Sequence, residues 1–323
     1  MRSVTCKEFG EPETLEIEER DLGPLSSDRV RIGVSACGVN FVDALMAQGK
    51  YQIKPGLPFV PGSEIAGAIT EVGDEVREWA VGQRVAASVG LGGYANEVDV
   101  LPIQLVALPE NITDTQGATL GQSYATAWFS LSRRAAAAPG EWVLILGAAG
   151  GVGLAMIDIA RAMNMNVIAA ASTAEKLDLC IRKGAHEVIN YTTEDLKIRA
   201  REISGGGVDV AVDPVGGKLG DLALRSLGDF GRLLVIGFAS GDIAKLPANQ
   251  ILLRNRSVVG VDWGIWSMQN PVENATLMGE VVSALSEDVL RPVEPETYPL
   301  ADAGVALRDL LERRTTGKLA LIP

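Results

Sequence analysis

The stretch from Glu141 to Gly153, EWVLILGAAGGVG, constrains this chain more than any other. Trp142 to Leu146 is a short apolar run of the kind a buried parallel strand needs. It stops at Gly147 and gives way to Ala148, Ala149, Gly150, Gly151, Val152 and Gly153. Leu154, Met156, Ile157, Ile159 and Ala160 then recur at helical spacing. Strand, glycine turn and helix in that order form a dinucleotide-binding unit. The physical reason is close approach: only residues with little side chain let backbone N–H groups reach a pyrophosphate, and the helix N-terminus adds a favourable dipole. The spacing is Ala148-x-Gly150-x-x-Gly153, with alanine in the place of the first glycine. The competing reading is an ordinary tight strand-to-helix turn. A membrane span fits poorly, because the uncharged run from Trp142 to Ile157 is rich in glycine and shorter than the ~18 residues a span needs.

A length of 323 residues allows one large or two ordinary domains. A net charge of −12 argues against an extended nucleic-acid or anionic-membrane surface, so neither partner is expected. Three scattered cysteines (Cys6, Cys37, Cys180) and one histidine (His186) cannot build a Cys- and His-based zinc site. They give no disulfide framework either, and the N-terminal residues show no signal-peptide run, so a reducing cytoplasm is expected.

Residues 1 to about 122 read as mostly β: Leu15–Ile17, Val30–Val34, Ile65–Val72, Arg84–Ser88 and Tyr94–Val100 are short runs punctuated by glycine and proline. The pattern predicts a small, strongly bent, barrel-like domain. Helix formers dominate from Leu120 to Ala138 and stop at Pro139-Gly140. Strands are then predicted at Trp142–Leu146, Asn166–Ala170, Glu187–Ile189, Val208–Val212, Arg232–Ile236 and Ser257–Val261. Helices alternate with them at Val152–Met163, Ala174–Lys183, Glu194–Ile203 and Lys218–Leu227. That alternation means a doubly wound parallel sheet. A long helix from about Val272 to Ser286 and a tail that is helical over Ala301–Arg313 and extended over Lys318–Ile322 return to the first domain. The fold class is therefore α/β, with a β domain over 1–122 and 268–323 and a doubly wound domain over 123–267.

Bent β domain, nucleotide domain and C-terminal return resemble, in that order, the medium-chain dehydrogenase/reductase superfamily. Within it the chain looks most like the zinc-free quinone oxidoreductase branch, which includes zeta-crystallin. The segments that carry the resemblance are ACGVNFVDALMAQGKY (36–51), LPFVPGSEIAGAITEVG (57–73), GAAGGVGLAMIDIARAM (147–163), VINY (188–191), VDPVGG (212–217), GRLLVIGFASG (231–241) and RRTTGKLALIP (313–323). It implies a GroES-like catalytic domain and an NADP-binding Rossmann domain. Zinc-dependent relatives carry a histidine where this chain has Ser63, just before Glu64, and a four-cysteine lobe that nothing between Gly90 and Asn111 supplies. Cys37 sits near a zinc-ligand position but reads as a small apolar strand residue, so no metal is expected.

NAD selectivity usually needs an Asp or Glu about twenty residues past the glycines. Here the second strand ends in Ala170-Ala171-Ser172-Thr173, and Lys176 follows. Hydroxyls and an ammonium attract a 2′-phosphate that a carboxylate would repel, so NADPH is the expected cofactor; adjacent Glu175 is expected to point away. The resemblance places Ser172, Lys176, Tyr191 and Arg313 around that phosphate. It places Ala149, Gly150, Gly151 and Val152 at the pyrophosphate, and Asn40, Thr126, Val215, Gly237, Phe238 and Ser240 along the rest of the cofactor. Asn40 and Tyr51 are the catalytic candidates, Asn40 donating its amide N–H to an oxyanion or fixing the ribose, and Tyr51 donating a hydrogen bond or a proton. Asp43, one turn after Asn40, is expected to cap or pair, and Trp263 and Trp266 to pack or line a pocket. The activity implied is NADPH-dependent reduction of quinones or other conjugated carbonyls. The alternatives are an enoyl-thioester or 2-alkenal reductase and a non-catalytic NADPH-binding protein. A homodimer paired through the exposed edge Ser257–Val261 is expected by analogy.

Overall fold

The computed structural model describes residues 1–323, and no helix is long and apolar enough to cross a membrane. The chain forms two compact units. The first comprises Met1–Gln122, Asn270–Asp288 and Pro292–Pro323; the second comprises Ser123–Gln269 and Val289–Arg291. The chain opens with β1 (Arg2–Thr5), β2 (Glu16–Glu19), β3 (Val30–Val39), β4 (Glu64–Val72), β5 (Arg84–Ser88), β6 (Glu97–Val100) and β7 (Leu105–Ala107). The second unit carries β8 (Trp142–Leu146), β9 (Asn166–Ala171), β10 (Glu187–Asn190), β11 (Val208–Asp213), β12 (Leu227–Val235) and β13 (Ser257–Gly260). β14 (Glu296–Pro299) and β15 (Leu319–Ile322) belong to the first unit again.

In the first unit the strand order is β14-β15-β3-β4-β5-β7, with β6 also paired to β3. Val30, Ile32 and Val34 point one way along β3 into a core shared with Ile65, Ile69, Val85, Tyr94 and Leu319. The β3–β4 register shifts twice, between Arg31 and Ile32 and between Val34 and Ala36. Such irregularities bend a strand and let a sheet curl around one core. β15 lies antiparallel to the end of β3, Leu319 opposite Val39 and Leu321 opposite Cys37. This register sets Lys318 beside the point where β3 ends and Asn40 begins the helix Phe41–Ala47.

The second unit is a six-stranded parallel sheet in the order β10-β9-β8-β11-β12-β13. Val143 to Leu146 are fully buried, as expected for a central parallel strand covered on both faces by helices. The order reverses between β8 and β11, because the chain steps outward through β9 and β10 and then returns to the other side of β8. Loops leaving the carboxyl ends of these two strands diverge, which opens a crevice at that edge. At the far edge, β13 has Ser257, Val258 and Gly260 exposed.

The structure departs from the sequence expectation at several elements, three of them in the second unit near the sheet's edges and the helix before it. β12 begins at Leu227, not Arg232, since Leu227 pairs with Val208 before a register shift; Gly228, Gly231 and the left-handed Phe230 (φ 60°) hide its alternation. Trp263–Gln269 is a helix. The helical region after Leu120 contains two wide-turn segments, Gly121–Ala125 and Phe129–Arg134, within which Ser130 and Ser132 donate back to the carbonyls of Thr126 and Trp128 at 2.6 Å.

A buried ionic node holds the second unit together. Asp158, on the helix Gly151–Ala162, accepts from Tyr124 Oη at 2.8 Å, Lys183 Nζ at 2.8 Å and the Arg291 N–H at 2.7 Å. Lys183 also donates to the Arg291 carbonyl. Removing one member of such a pair strands the other charge away from water. Asp158→Ala is therefore expected to destabilise the second unit by about 3–5 kcal/mol, measured by urea denaturation; a loss below about 1 kcal/mol, the worth of an exposed pair, contradicts this role.

Candidate active site

The glycine turn is built by contact, not only by propensity. Gly147 (φ 57°) lets the chain leave β8, and the Ala148 N–H donates to the Ala170 carbonyl of β9 at 3.1 Å. Gly150, extended and exposed, caps the helix Gly151–Ala162 without a side-chain bond. A Cβ on Gly153 would lie 2.6 Å from the Ala148 backbone, so only glycine lets the helix come this close to the strand. The first intrahelical bond runs from the Leu154 N–H to the Gly150 carbonyl. The N–H groups of Gly151, Val152 and Gly153 therefore open the helix as donors, a cradle for an anionic group.

The other candidates of this unit gather at the same edge of the sheet. β9 ends at Ala171; Thr173 caps the next helix, its hydroxyl accepting from the Lys176 N–H at 3.3 Å. Tyr191 follows β10, and its N–H donates to the Ala171 carbonyl at 3.2 Å, while Thr192 Oγ1 donates to the Ser172 carbonyl at 3.3 Å. Ser172 and Tyr191 thus lie on joined loops, with Lys176 in the first turn of the helix Ala174–Lys183 beside them; all three are half-buried, and Glu175 is exposed. Asp213 ends β11, and its Oδ1 accepts from the N–H groups of Val215 and Gly216 at 2.9 and 2.7 Å. The loop after β12 folds onto that turn, with the Ser240 N–H donating to the Val215 carbonyl at 2.9 Å and the Gly237 N–H approaching the Asp213 carbonyl at 3.4 Å. The Phe238 ring closes over Gly216, where a Cβ would come within 2.8 Å of it. Thr126 is buried in the helical region before β8. Trp263 is buried, and Trp266 stacks on Phe129 with centroids 4.5 Å apart.

In the first unit Asn40 sits at the centre of a polar network that engages both ends of its carboxamide. Its Nδ2 donates to Glu64 Oε1 at 2.9 Å and to Ser63 Oγ at 3.3 Å, and its Oδ1 accepts from Lys318 Nζ. Chemistry fixes this amide orientation, since an ammonium only donates and a carboxylate only accepts. Lys318 Nζ also donates to Glu64 Oε1 at 2.8 Å and to the Val39 carbonyl at 3.3 Å. Glu64 Oε2 accepts from the Gln122 N–H at 2.9 Å. Room for this carboxylate comes from Gly38, whose Cβ would fall 2.6 Å from Glu64 Oε1. Asp43 Oδ2 accepts from the Asn40 N–H at 2.9 Å and from Tyr94 Oη at 3.1 Å, while its Oδ1 has no partner.

Sequence reasoning overlooked Lys318, which lies in the quoted RRTTGKLALIP segment, and gave Glu64 no role. Tyr51 is half-buried against Cys6, Met46, Ala47 and Phe59. Arg313, exposed and left-handed (φ 58°), follows the helix Ala303–Leu311. The first-unit candidates Asn40 and Tyr51 thus flank one short helix, Asn40 inside the charge network and Tyr51 against an apolar cluster.

The donors of this unit do not suit zinc. Cys37 Sγ is fully buried and directed at the Ala95 carbonyl at 3.8 Å, and burial pushes its thiol up to about 12. Ser63 bonds Asn40, and no three His, Cys, Asp or Glu side chains gather where they could hold a metal.

Residues 26–110 match the family model "Alcohol dehydrogenase GroES-like domain" and residues 151–277 match "Zinc-binding dehydrogenase". The bovine quinone oxidoreductase-like protein 2 is 40% identical over 99% of this chain and 92% of that protein. The structure of Escherichia coli quinone oxidoreductase complexed with NADPH superposes with a TM-score of 0.89 at 29% identity over all of both chains. That of CurK enoyl reductase does so with a TM-score of 0.90 at 26% identity over 99% of this chain and 98% of that one. The chain belongs to the quinone oxidoreductase branch of the medium-chain dehydrogenase/reductase superfamily, a family of oxidoreductases.

Burial raises the Asp43 carboxyl from 3.8 to about 7; the Asn40 N–H, the Lys318 charge and the Tyr94 hydroxyl oppose the rise, and the Glu64 charge adds to it. Buried Cys37, also nearby, has its thiol raised. Between pH 3.8 and about 7 the folded chain keeps on Asp43 a proton that the unfolded chain has lost, so ionisation of Asp43 costs stability as pH rises. Asp43→Asn can accept both bonds and does not titrate. The wild type is expected to lose stability relative to Asp43→Asn between pH 4 and 7, by at most about 4 kcal/mol, in urea denaturation; parallel pH curves contradict the assignment.

Proposed function

We propose that this chain is a zinc-independent reductase that uses NADPH to reduce quinones or other conjugated carbonyls. The observation that carries the cofactor choice is the β9–β10 edge: Ser172 and Tyr191 share joined loops there, Lys176 lies in the first turn of the adjoining helix, and β9 ends without a carboxylate. An anionic 2′-phosphate is stabilised by hydroxyls and an ammonium, and the NADH ribose loses its usual acidic acceptor. NADPH, once bound, supplies the hydride. The N–H groups of Gly151 to Gly153 hold its pyrophosphate, Val215, Gly237, Phe238 and Ser240 border its nicotinamide half with Thr126, and Arg313 adds a second cation near the 2′-phosphate. Asn40 and Tyr51 face the acceptor. Tyr51 or water supplies the proton that follows hydride transfer; with both Nδ2 protons of Asn40 taken by Glu64 and Ser63, Asn40 acts through the second lone pair of its fixed Oδ1, which accepts from a hydroxyl of the ribose or of the reduced acceptor. The exposed edge β13 pairs with that of a second copy, since an open apolar edge invites pairing, and the three free cysteines suit a reducing cytoplasm.

A second reading, reduction of an enoyl thioester or 2-alkenal, is favoured by the likeness to the CurK enoyl reductase structure. A cofactor-binding protein without catalysis is the third. Steady-state oxidation of NADPH and of NADH against 9,10-phenanthrenequinone, 1,4-benzoquinone, 2-hexenal and crotonyl-CoA separates them. Quinone turnover with NADPH preferred is the expected result. Turnover confined to crotonyl-CoA or 2-hexenal selects the second reading, and tight NADPH binding without turnover selects the third. Ser172→Asp with Lys176→Ala is expected to lower NADPH affinity at least about tenfold, the worth of one charge-assisted contact, with little change for NADH; equal losses for both cofactors contradict the phosphate site.

A further inference from the structure

We propose that Lys318 is a positioning residue for this reaction, acting through Asn40, whose carboxamide it locks in one orientation and one place. The inference rests on the reductase reading above. Its first support is saturation. The three protons of the Lys318 ammonium go to the Val39 carbonyl, Asn40 Oδ1 and Glu64 Oε1. An ammonium has three donors and no acceptor, so Lys318 has none left for a substrate or cofactor. It acts on the reaction only through the groups it holds.

The second support is the way those groups are shared. Glu64 Oε1 accepts from both Lys318 and Asn40 Nδ2, so lysine, glutamate and asparagine close a ring of three hydrogen bonds. The lysine meets one end of the carboxamide and the glutamate the other, and a flipped amide would set oxygen against carboxylate and N–H against ammonium. Lys318 and Glu64 side chains are 12% and 2% exposed, so water does not weaken the ring. The third support is placement. β15 enters the sheet in register with the end of β3, so the lysine is delivered by backbone pairing to the last carbonyl before Asn40. A lysine needed only to neutralise Glu64 would not have to reach the asparagine as well.

The reach from Lys318 to Asn40 is tested by kinetics and, independently, without any ligand. Lys318→Met is expected to lower kcat about tenfold to a hundredfold, the usual cost of misplacing a reacting group, and to change KM for NADPH less than about twofold. In an Asn40→Ala background the same substitution is expected to have almost no further effect on kcat. Equal losses in both backgrounds, or a loss confined to KM, overturn the proposal. Lys318→Met leaves Glu64 as a buried uncompensated charge, so Lys318→Met/Glu64→Gln is the companion variant: it restores folding while kcat stays low, and recovery of wild-type kcat in it overturns the proposal. In the ligand-free protein, Lys318→Met and Asn40→Ala are expected to shift the urea midpoint non-additively, and additive shifts overturn the contact itself. A wild-type protein that fails to oxidise NADPH with every one of the four acceptors ends the reductase reading, while the ligand-free cycle still decides whether Lys318 holds Asn40.

Discussion

Two carboxylates buried within one small β unit, Glu64 and Asp43, set the terms on which that unit folds. A carboxylate withdrawn from water is tolerated only when paired or neutralised. Glu64 meets the first condition through Lys318, Asn40 and the Gln122 N–H. Asp43 meets the second by holding its proton up to about pH 7. Both solutions draw on distant parts of the sequence: Lys318 reaches the network because β15, near the end of the chain, pairs with β3, near its beginning. The C-terminal return is therefore part of the polar core as well as of the sheet.

The second unit depends on a different constraint, steric closeness. Gly153 brings a helix onto Ala148, the strand order reverses beside β8, and the loops after β8, β9, β11 and β12 end on one edge. The chemistry of that edge follows from which short or charged residues occupy it. Ser172 and Lys176 follow the end of β9 with no carboxylate at its tip, and Phe238 lies over Gly216 beside the Asp213 turn. The second unit presents the N–H groups that open its helix beside Ser172 and Lys176, and the first a ring of hydrogen bonds around Asn40.

Much of this was legible in the sequence because periodicity and glycine placement are local signals. Trp142–Leu146 and the helix after it stand out by apolar run and spacing alone, and the β-α alternation that follows requires a parallel sheet. β12 was partly hidden because Gly228 and Gly231 interrupt its alternation, and Trp263–Gln269 because aromatic residues and a glycine resemble a strand end as much as a helix. The network around Asn40 was the least legible. Asn40, Glu64 and Lys318 are separated by 24 and 254 positions, and no local pattern announces that a lysine just before a C-terminal strand completes a network begun at residue 40. Only the register of β15 against β3 discloses it.

The account centres on direct hydride transfer from NADPH held by this chain, and stereochemistry tests that most directly. NADPH carrying deuterium at C4 on one face or the other is oxidised by the protein with 9,10-phenanthrenequinone as acceptor, and the oxidised cofactor is examined by mass spectrometry. A single fixed binding mode predicts that label on one face is lost completely and label on the other is retained completely. Equal loss from both faces, or no acceptor-dependent oxidation of either, contradicts the account.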